Sequence, residues 1–336
     1  MDKIKIYVTA RIADILLKDA EGFEFFKADG RTVNKNALLT ALIINYHAEF
    51  AARQAEIADF VKRRLAGAGL GEGRLAGVCA DICGMLNERS AAPAGEKFDR
   101  LISLKPTKLS DSVIEYIEKY ELGGRTLSEY FRSMLAGYCA LPQDMREKII
   151  FREQYETIMQ AIARRRKVFL VRNARGNAPA KNRRSEISPY AVSRSKEELH
   201  LYVTGVHEGN CVPIRLSRIA SAKMLPEEAA FTQEQTATLE KMIKYGPQFA
   251  YRPGEGVVAV QLSPKGEELF RKLYVHRPVP LETDGNILKF DCSHMQIVQY
   301  FERFGAAAKV LYPESLTEEL YRFHRRAAKA YHPDLR

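Results

Sequence analysis

The chain has 336 residues, 46% hydrophobic and 28% charged, with a formal net charge of +10. That length predicts two or three domains able to bury a sizeable core. No apolar run approaches the roughly 20 residues that cross a bilayer, and the start, Met1-Asp2-Lys3-Ile4-Lys5, is not the pattern of a signal peptide. The five cysteines, at 79, 83, 139, 211 and 292, are odd in number and scattered, which excludes a disulfide framework and predicts reduced thiols in a cytoplasm. A pI near 9.3 points to an acidic partner, with nucleic acid first among them.

Lys3 to Thr9 alternates strictly, Ile4, Ile6 and Val8 on one face and Lys3, Lys5 and Tyr7 on the other, the pattern of a half-buried strand. Arg11 to Lys27 predicts a helix, broken at Gly30. Thr32 or Asn34 caps a second helix carrying Leu38, Leu42, Ile43 and Tyr46. The same order recurs: a strand at Leu101–Lys105, a helix capped by Ser110, then a helix carrying Tyr130, Phe131, Met134 and Tyr138. Gly30-Arg31-Thr32-Val33-Asn34 matches Gly124-Arg125-Thr126-Leu127-Ser128 in pattern.

This repeat resembles two ribbon–helix–helix units (3–50 and 98–140) folded as an internal pseudo-dimer; an ordinary helical domain is the alternative. The resemblance implies a two-stranded ribbon whose outward residues, Lys3, Lys5, Tyr7, Ser103 and Lys105, would enter a DNA major groove. Thr32 and Ser128 would sit at helix N-termini, where backbone amides meet phosphate. Leu101 makes the second strand's outer face partly apolar, which favours a structural role for it.

Glu49 to Leu65 extends or closely follows the second helix, Gly67 to Gly73 is a turn, and Arg74 to Arg89 is another helix. Cys79 and Cys83 lie one turn apart without further ligands nearby, so they read as plain thiols rather than a metal site. Ser90 to Gly95 is a linker. Met145 to Arg165 predicts one long helix running into a strand at Val168–Val171, and Asn173 to Asn182 a polar loop placed as a flap over a basic face.

That basic face is the centre of the functional reading. From Arg164 to Arg218 thirteen Lys or Arg stand against four Glu, so nearly all of the net charge lies in this segment. Within it, Arg183 to Tyr190, Leu199 to Val206 and Ile214 to Ile219 read as strands separated by turns. Alternation along the last run puts Ile214, Leu216 and Arg218 on one face, Arg215 and Ser217 on the other. Guanidinium groups gathered by adjacent strands bind phosphate bidentately.

The segment resembles a WYL domain, an Sm-like β-barrel of bacterial regulators. The family pattern is a basic residue ahead of a Pro-aromatic step, a Trp-Tyr-Leu tripeptide, then a Phe-Arg-Leu-Asp-Arg-Ile run. Here these are Arg184 to Tyr190, Leu201-Tyr202-Val203 and Ile214 to Ile219, with no Trp in the chain and Ser217 in place of Asp. The resemblance implies a ligand or nucleic-acid pocket lined by Tyr202, Arg215 and Arg218, with Arg184 beside it. The full candidate set is Arg183, Arg184, Tyr190, Arg194, Tyr202, His207, Arg215, Ser217 and Arg218. Tyr190, Tyr202 and Phe169 are candidates for stacking bases.

After Leu225 a helix at Gln233–Tyr245, then the order strand–helix–strand–helix–strand and a last helix at Leu316–Ala330, predict a small α+β sandwich. It resembles the C-terminal extension of many WYL proteins, which implies dimerisation; core packing explains its aromatic stripe equally well. The expected fold class is therefore α+β and multidomain: a mostly helical tandem ribbon–helix–helix region over 1–140, a WYL barrel over 141–228, and a dimerising α+β extension over 229–336. The whole order resembles the WYL accessory proteins of type VI-D CRISPR systems. That implies a homodimer that binds single-stranded RNA and stimulates an RNA-guided ribonuclease. A WYL transcription regulator that reads an operator, and a sensor of nucleotides or sugar phosphates, are the alternatives. No cofactor, metal or membrane is expected. The seven histidines have no ligand spacing, and no hydrolase or phosphate-loop motif occurs, so an enzyme is not expected.

Overall fold

β1 (Ile4–Val8) and β2 (Arg100–Leu104) lie almost a hundred residues apart and pair antiparallel, Ile4 opposite Leu104 and Val8 opposite Arg100. Ile6, Val8 and Leu104 turn into the core, while Lys5, Tyr7, Leu101 and Ser103 face out, as alternation requires. The computed structural model describes residues 3–65, 67, 69, 71–91, 96–122, 124–173, 183–252 and 254–332. The linker residues 92–95 and the proposed flap, 174–182, lie outside these. The chain falls into two units, one built up to Tyr155 and the other from Glu156 onward. Among the described residues the fold is mixed α+β, with eleven α-helices and three small sheets.

In the first unit each strand of the ribbon is followed by helices. Thr9 caps α1 (Ala10–Gly22), its hydroxyl accepting from the Ile12 amide at 3.4 Å. α1 stops five residues short of the expected Lys27, because the chain turns back at once: Lys27 donates to the Thr32 carbonyl and Asn34 to the Phe25 carbonyl, both at 2.8 Å. Asn34 rather than Thr32 then caps α2 (Lys35–Leu65), accepting from Ala37 at 3.1 Å. α3 (Glu72–Ala91) returns along α2, with the buried Cys79 and Cys83 thiols against the Ala58 and Gln54 carbonyls.

The second half repeats the order with α4 (Lys108–Tyr120) and α5 (Leu127–Cys139). α4 begins earlier than expected, capped by Thr107, and Ser110 is the reciprocal partner of that capping box. Thr126 and Glu129 form the same device on α5. The long helix expected over 145–165 is two helices, α6 (Gln143–Ile150) and α7 (Arg152–Ala163), broken at Phe151. The break has a cause in side-chain chemistry. Asn45 donates to the Ile150 carbonyl at 2.9 Å, and Phe151 packs edge-on to Phe23 with ring centroids 5.9 Å apart. A buried knot ties α1, α5 and α6 together: Arg146 grips both oxygens of Asp19 at 2.7 and 2.8 Å, and the Tyr138 hydroxyl donates to the same carboxylate at 2.9 Å.

The second unit holds a five-stranded antiparallel sheet of β3 (Arg166–Arg172), β4 (Arg183–Arg194), β5 (Leu201–His207), β6 (Asn210–Arg215) and β7 (Ile219–Glu228), in the order β6-β5-β4-β3-β7. The closed barrel implied by the WYL resemblance is not formed. The edge strands β6 and β7 are joined by a 3-10 turn, Leu216–Arg218, and do not pair with each other. The expected continuous strand Ile214–Ile219 is therefore split by that turn. The long strand β4 bends at a bulge between Pro189 and Ala191. Gly205 faces the bend, where an added Cβ would lie 2.4 Å from the Ser188 carbonyl oxygen, so only glycine fits.

α8 (Gln233–Tyr245) covers one end of this sheet, with Leu239 and Met242 against Cys211, Val206 and Tyr190. The remaining chain forms β8 (Val258–Leu262), α9 (Pro264–Lys272), β9 (Glu282–Asp284), β10 (Ile287–Phe290), α10 (His294–Phe301), β11 (Ala308–Tyr312) and α11 (Glu314–Tyr331). The strands are antiparallel in the order β11-β8-β10-β9; the short edge strand β9 was not expected from the sequence. Val260, Phe290, Ile297, Tyr300 and Phe301 are its core, each such side chain contributing about 1.5–3 kcal/mol by burial. Of α11 only Leu316 is buried. No described helix is long and apolar enough to cross a membrane.

Candidate nucleic-acid interface

The bulge at Tyr190 decides which basic residues share a face. Before it, β4 pairs with β3: Arg183 opposite Arg172, Arg184 opposite Val171, Ser185 opposite Leu170, Glu186 opposite Phe169. Arg183 and Ser185 therefore share the face that carries the buried Leu170, and Arg184 shares the outward face with Phe169 and Glu186, where β7 adds Lys223 opposite Phe169. Adjacent in sequence, Arg183 and Arg184 diverge to opposite faces.

Beyond the bulge, Ser193, Tyr202 and Arg215 stand in register across β4, β5 and β6 on one face. Arg194 is in register with Leu201 and so lies on the other face; it does not join Tyr202 and Arg215. His207 also lies on that other face, at the β5–β6 turn, its ring nitrogen 3.0 Å from the Glu186 carbonyl oxygen. Tyr190, re-aimed by the bulge, packs edge-on to Phe231 with centroids 5.3 Å apart, and its hydroxyl donates to Glu240 on α8. It belongs to the packing of α8, not to a stacking surface.

Tyr202 is 9% exposed, and its hydroxyl donates to the Glu198 carboxylate. Burial first, then that hydrogen bond, hold the phenol well above its ordinary pKa, while Arg215 and Arg218 pull it down. Both guanidiniums thus lie close to the Tyr202 ring. Arg215 also meets the His200 ring. The 3-10 turn buries Leu216 and Ser217, the Ser217 hydroxyl without a partner among the described residues, and leaves Arg218 half-buried. The next residue, Ile219, lies opposite Arg172. The chain thus carries Arg218 toward the Arg172/Arg183 pair, although along β4 that pair and the Ser193–Tyr202–Arg215 row stand at opposite ends.

Arg172 is the site residue missed by sequence reasoning. It is half-buried and its Nε has no hydrogen-bond partner among the described residues. Burial, then the neighbouring Arg183, depress its pKa. Ser185, on the same face and one step inward, is 6% exposed, its hydroxyl without a partner among the described residues. Two guanidiniums side by side over a buried hydroxyl suit an oxyanion, which would cancel their repulsion and accept their hydrogens. The signal available in the sequence was Arg172 closing the apolar run Val168–Val171. His200 and Glu198, also missed, flank Tyr202 in the charged turn.

In the first unit, Lys3, Lys5, Tyr7, Ser103 and Lys105 are all exposed, with Lys5 opposite Ser103 and Tyr7 opposite Leu101. The expected helix-terminal phosphate contacts are otherwise engaged. The Ser128 hydroxyl donates to the Lys5 carbonyl at 2.7 Å, and Thr32 is held by Asp29 ahead of the helix. No group of His, Cys, Asp and Glu able to hold a metal occurs among the described residues.

No protein-family model and no curated protein matches the chain. Among solved structures it is similar, at a TM-score of 0.61 and 17% identity, to one described as a CRISPR Cas-related protein, over 100% of this chain and 95% of that one. That likeness is one of fold. The proteasome accessory factor B/C of Arthrobacter aurescens aligns with 85% of this chain and 52% of its own at 14% identity, with a TM-score of 0.26, too low to carry an argument.

Proposed function

We propose that this protein is a non-enzymatic, CRISPR-associated regulator that binds single-stranded RNA at the arginine pairs of its five-stranded sheet. The observation that carries the proposal is the pair Arg172 and Arg183 beside the buried Ser185 hydroxyl, with a second pair, Arg215 and Arg218, beside Tyr202. The description of the similar structure as CRISPR Cas-related supports the setting. In this reading 141–228 is a WYL-like module in open form, 1–140 a ribbon–helix–helix region, and 229–336 a dimerising extension. The protein acts as a cytoplasmic homodimer that stimulates an RNA-guided ribonuclease.

Titration with single-stranded RNA, single-stranded DNA and duplex DNA at two salt concentrations tests this. Single-strand preference is the expected result, with most affinity and part of the salt dependence lost on Arg215→Ala with Arg218→Ala. Binding unchanged by that double substitution would refute the site. A second reading, an operator-binding regulator, is favoured by the shared exposure of Lys3, Lys5, Tyr7, Ser103 and Lys105 on one face of the ribbon. Duplex preference abolished by Lys5→Ala would select it.

A further inference from the structure

We infer that the face of α11 turned toward Arg252 is a second contact for the phosphates of a single strand, distinct from the arginine pairs of the sheet. The groove has a volume of about 630 Å³, and its cations are Arg252, Arg322, Arg325, Arg326 and Lys329. It also holds Ser315, so the helix lines it over roughly fourteen residues, about 21 Å of axis. That length suits several consecutive phosphates of an extended strand.

Charge decides against an ordinary solvated helix. Arg322, Arg325, Arg326 and Lys329 repeat at three- and four-residue spacing, where like charges destabilise a helix. Arg322 is neutralised by Glu318, at 2.8 Å, and Glu319 adds one more acid at the N-terminal end. Arg325, Arg326, Lys329 and Arg252 have no acidic partner among the described residues. A bound polyanion would relieve that repulsion, and four of the five cations are arginines, the side chain whose fork fits phosphate. Tyr321, 56% exposed, lies one turn from both Glu318 and Arg325 and offers a base a ring at the edge of the groove.

The groove also has a neighbour. Arg252 lines a second cavity of about 350 Å³, bounded by Asn210 and Cys211 at the β5–β6 turn and by Lys241. That cavity is also lined by Glu234, Glu255 and Asp291, and Asp291 holds Lys241 at 2.7 Å, so the cationic surface ends at Arg252 and the strand would follow α11 rather than the turn. The inference rests on the proposed RNA binding and extends it to strands longer than the sheet can hold.

The test compares single-stranded RNA of about 6 and about 30 nucleotides, within and above one typical module's site size. The proteins are wild type, Arg325→Ala/Arg326→Ala/Lys329→Ala, and Arg215→Ala/Arg218→Ala. All three substituted positions on α11 are exposed, so the fold does not depend on them. The α11 variant should bind the long strand about tenfold more weakly, with a salt slope smaller by about 2, and the short strand as wild type does. An unchanged long-strand affinity and slope would overturn the groove while leaving the sheet assignment intact. Loss confined to the α11 variant would uphold the groove and overturn the sheet. No binding of either strand by wild type would overturn both. Retention of wild type, but not the α11 variant, on an acidic peptide, with RNA binding unaltered, would assign the groove to an acidic protein and refute the inference.

Discussion

Replacing Arg172 by methionine separates a binding arginine from a structural one, because the two roles predict opposite signs. The side chain is half-buried, its Nε lacks a partner among the described residues, and both burial and Arg183 work against its charge. An apolar side chain of similar length removes that conflict. Since the group remains open to solvent, the relief is small, neutral to about 1 kcal/mol of added stability. Binding should move the other way. A hydrogen bond from a charged donor is worth roughly 1.5–3 kcal/mol, so affinity for single-stranded RNA should fall about 10- to 150-fold. With one phosphate fewer neutralised, the salt slope should shrink by about 0.7. Urea unfolding without RNA and an RNA titration at two salt concentrations measure both. Destabilisation of roughly 2 kcal/mol or more, with affinity unchanged, would show that Arg172 serves the fold and refute the anion site.

Three further predictions follow from the packing. Asp19→Ala leaves Arg146 buried without its carboxylate and should cost about 3–5 kcal/mol in urea unfolding, against about 1 for Tyr138→Phe. Gly205→Ala places a methyl 2.4 Å from the Ser188 carbonyl oxygen and should destabilise by about 1–3 kcal/mol, whereas Gly71→Ala, with open space around it, should be near neutral. Burial, then the charges of Asp291 and Glu255, push the Cys292 thiol up to about 12 from an ordinary value of 9.0. The unfolded thiol therefore ionises first, and its contribution to stability is full below pH 9 and is lost as the pH rises toward 12. Cys292→Ala should make stability fall less steeply between pH 8 and 10 than in wild type; parallel curves would contradict the assignment.

The ribbon was legible because Ile4, Ile6 and Val8 alternate without interruption, and the repeated Gly-Arg-Thr step marked its second half. The site was less legible because strand faces are set by register, and a one-residue bulge exchanges them. Arg194 and Tyr202 look like neighbours until Tyr190 is recognised as the extra residue of β4. The run Ile214–Ile219 keeps a strand's composition through a 3-10 turn, so its alternation gave Ser217 a face that it does not have. Arg172 reads as a solvated strand end, and only the return of β7 alongside β3 half-buries it. The break at Phe151 depends on Asn45, more than a hundred residues away, which no local periodicity reports.

These corrections change how a single strand would be held. Of the three rings expected to stack bases, Tyr190 is engaged by Phe231 and Glu240, and Tyr202 is buried with its hydroxyl committed to Glu198. Phe169 alone lies on an outward face, beside Arg184 and Lys223. Tyr202 instead packs beside Arg215 and Arg218 while its hydroxyl holds Glu198. Under the proposed function, then, recognition at the sheet falls on phosphate more than on bases. A phosphate-led interface discriminates little between sequences and weakens steeply with salt. Guidance to a particular transcript would have to come from the ribonuclease and its guide, with this protein contributing affinity rather than address.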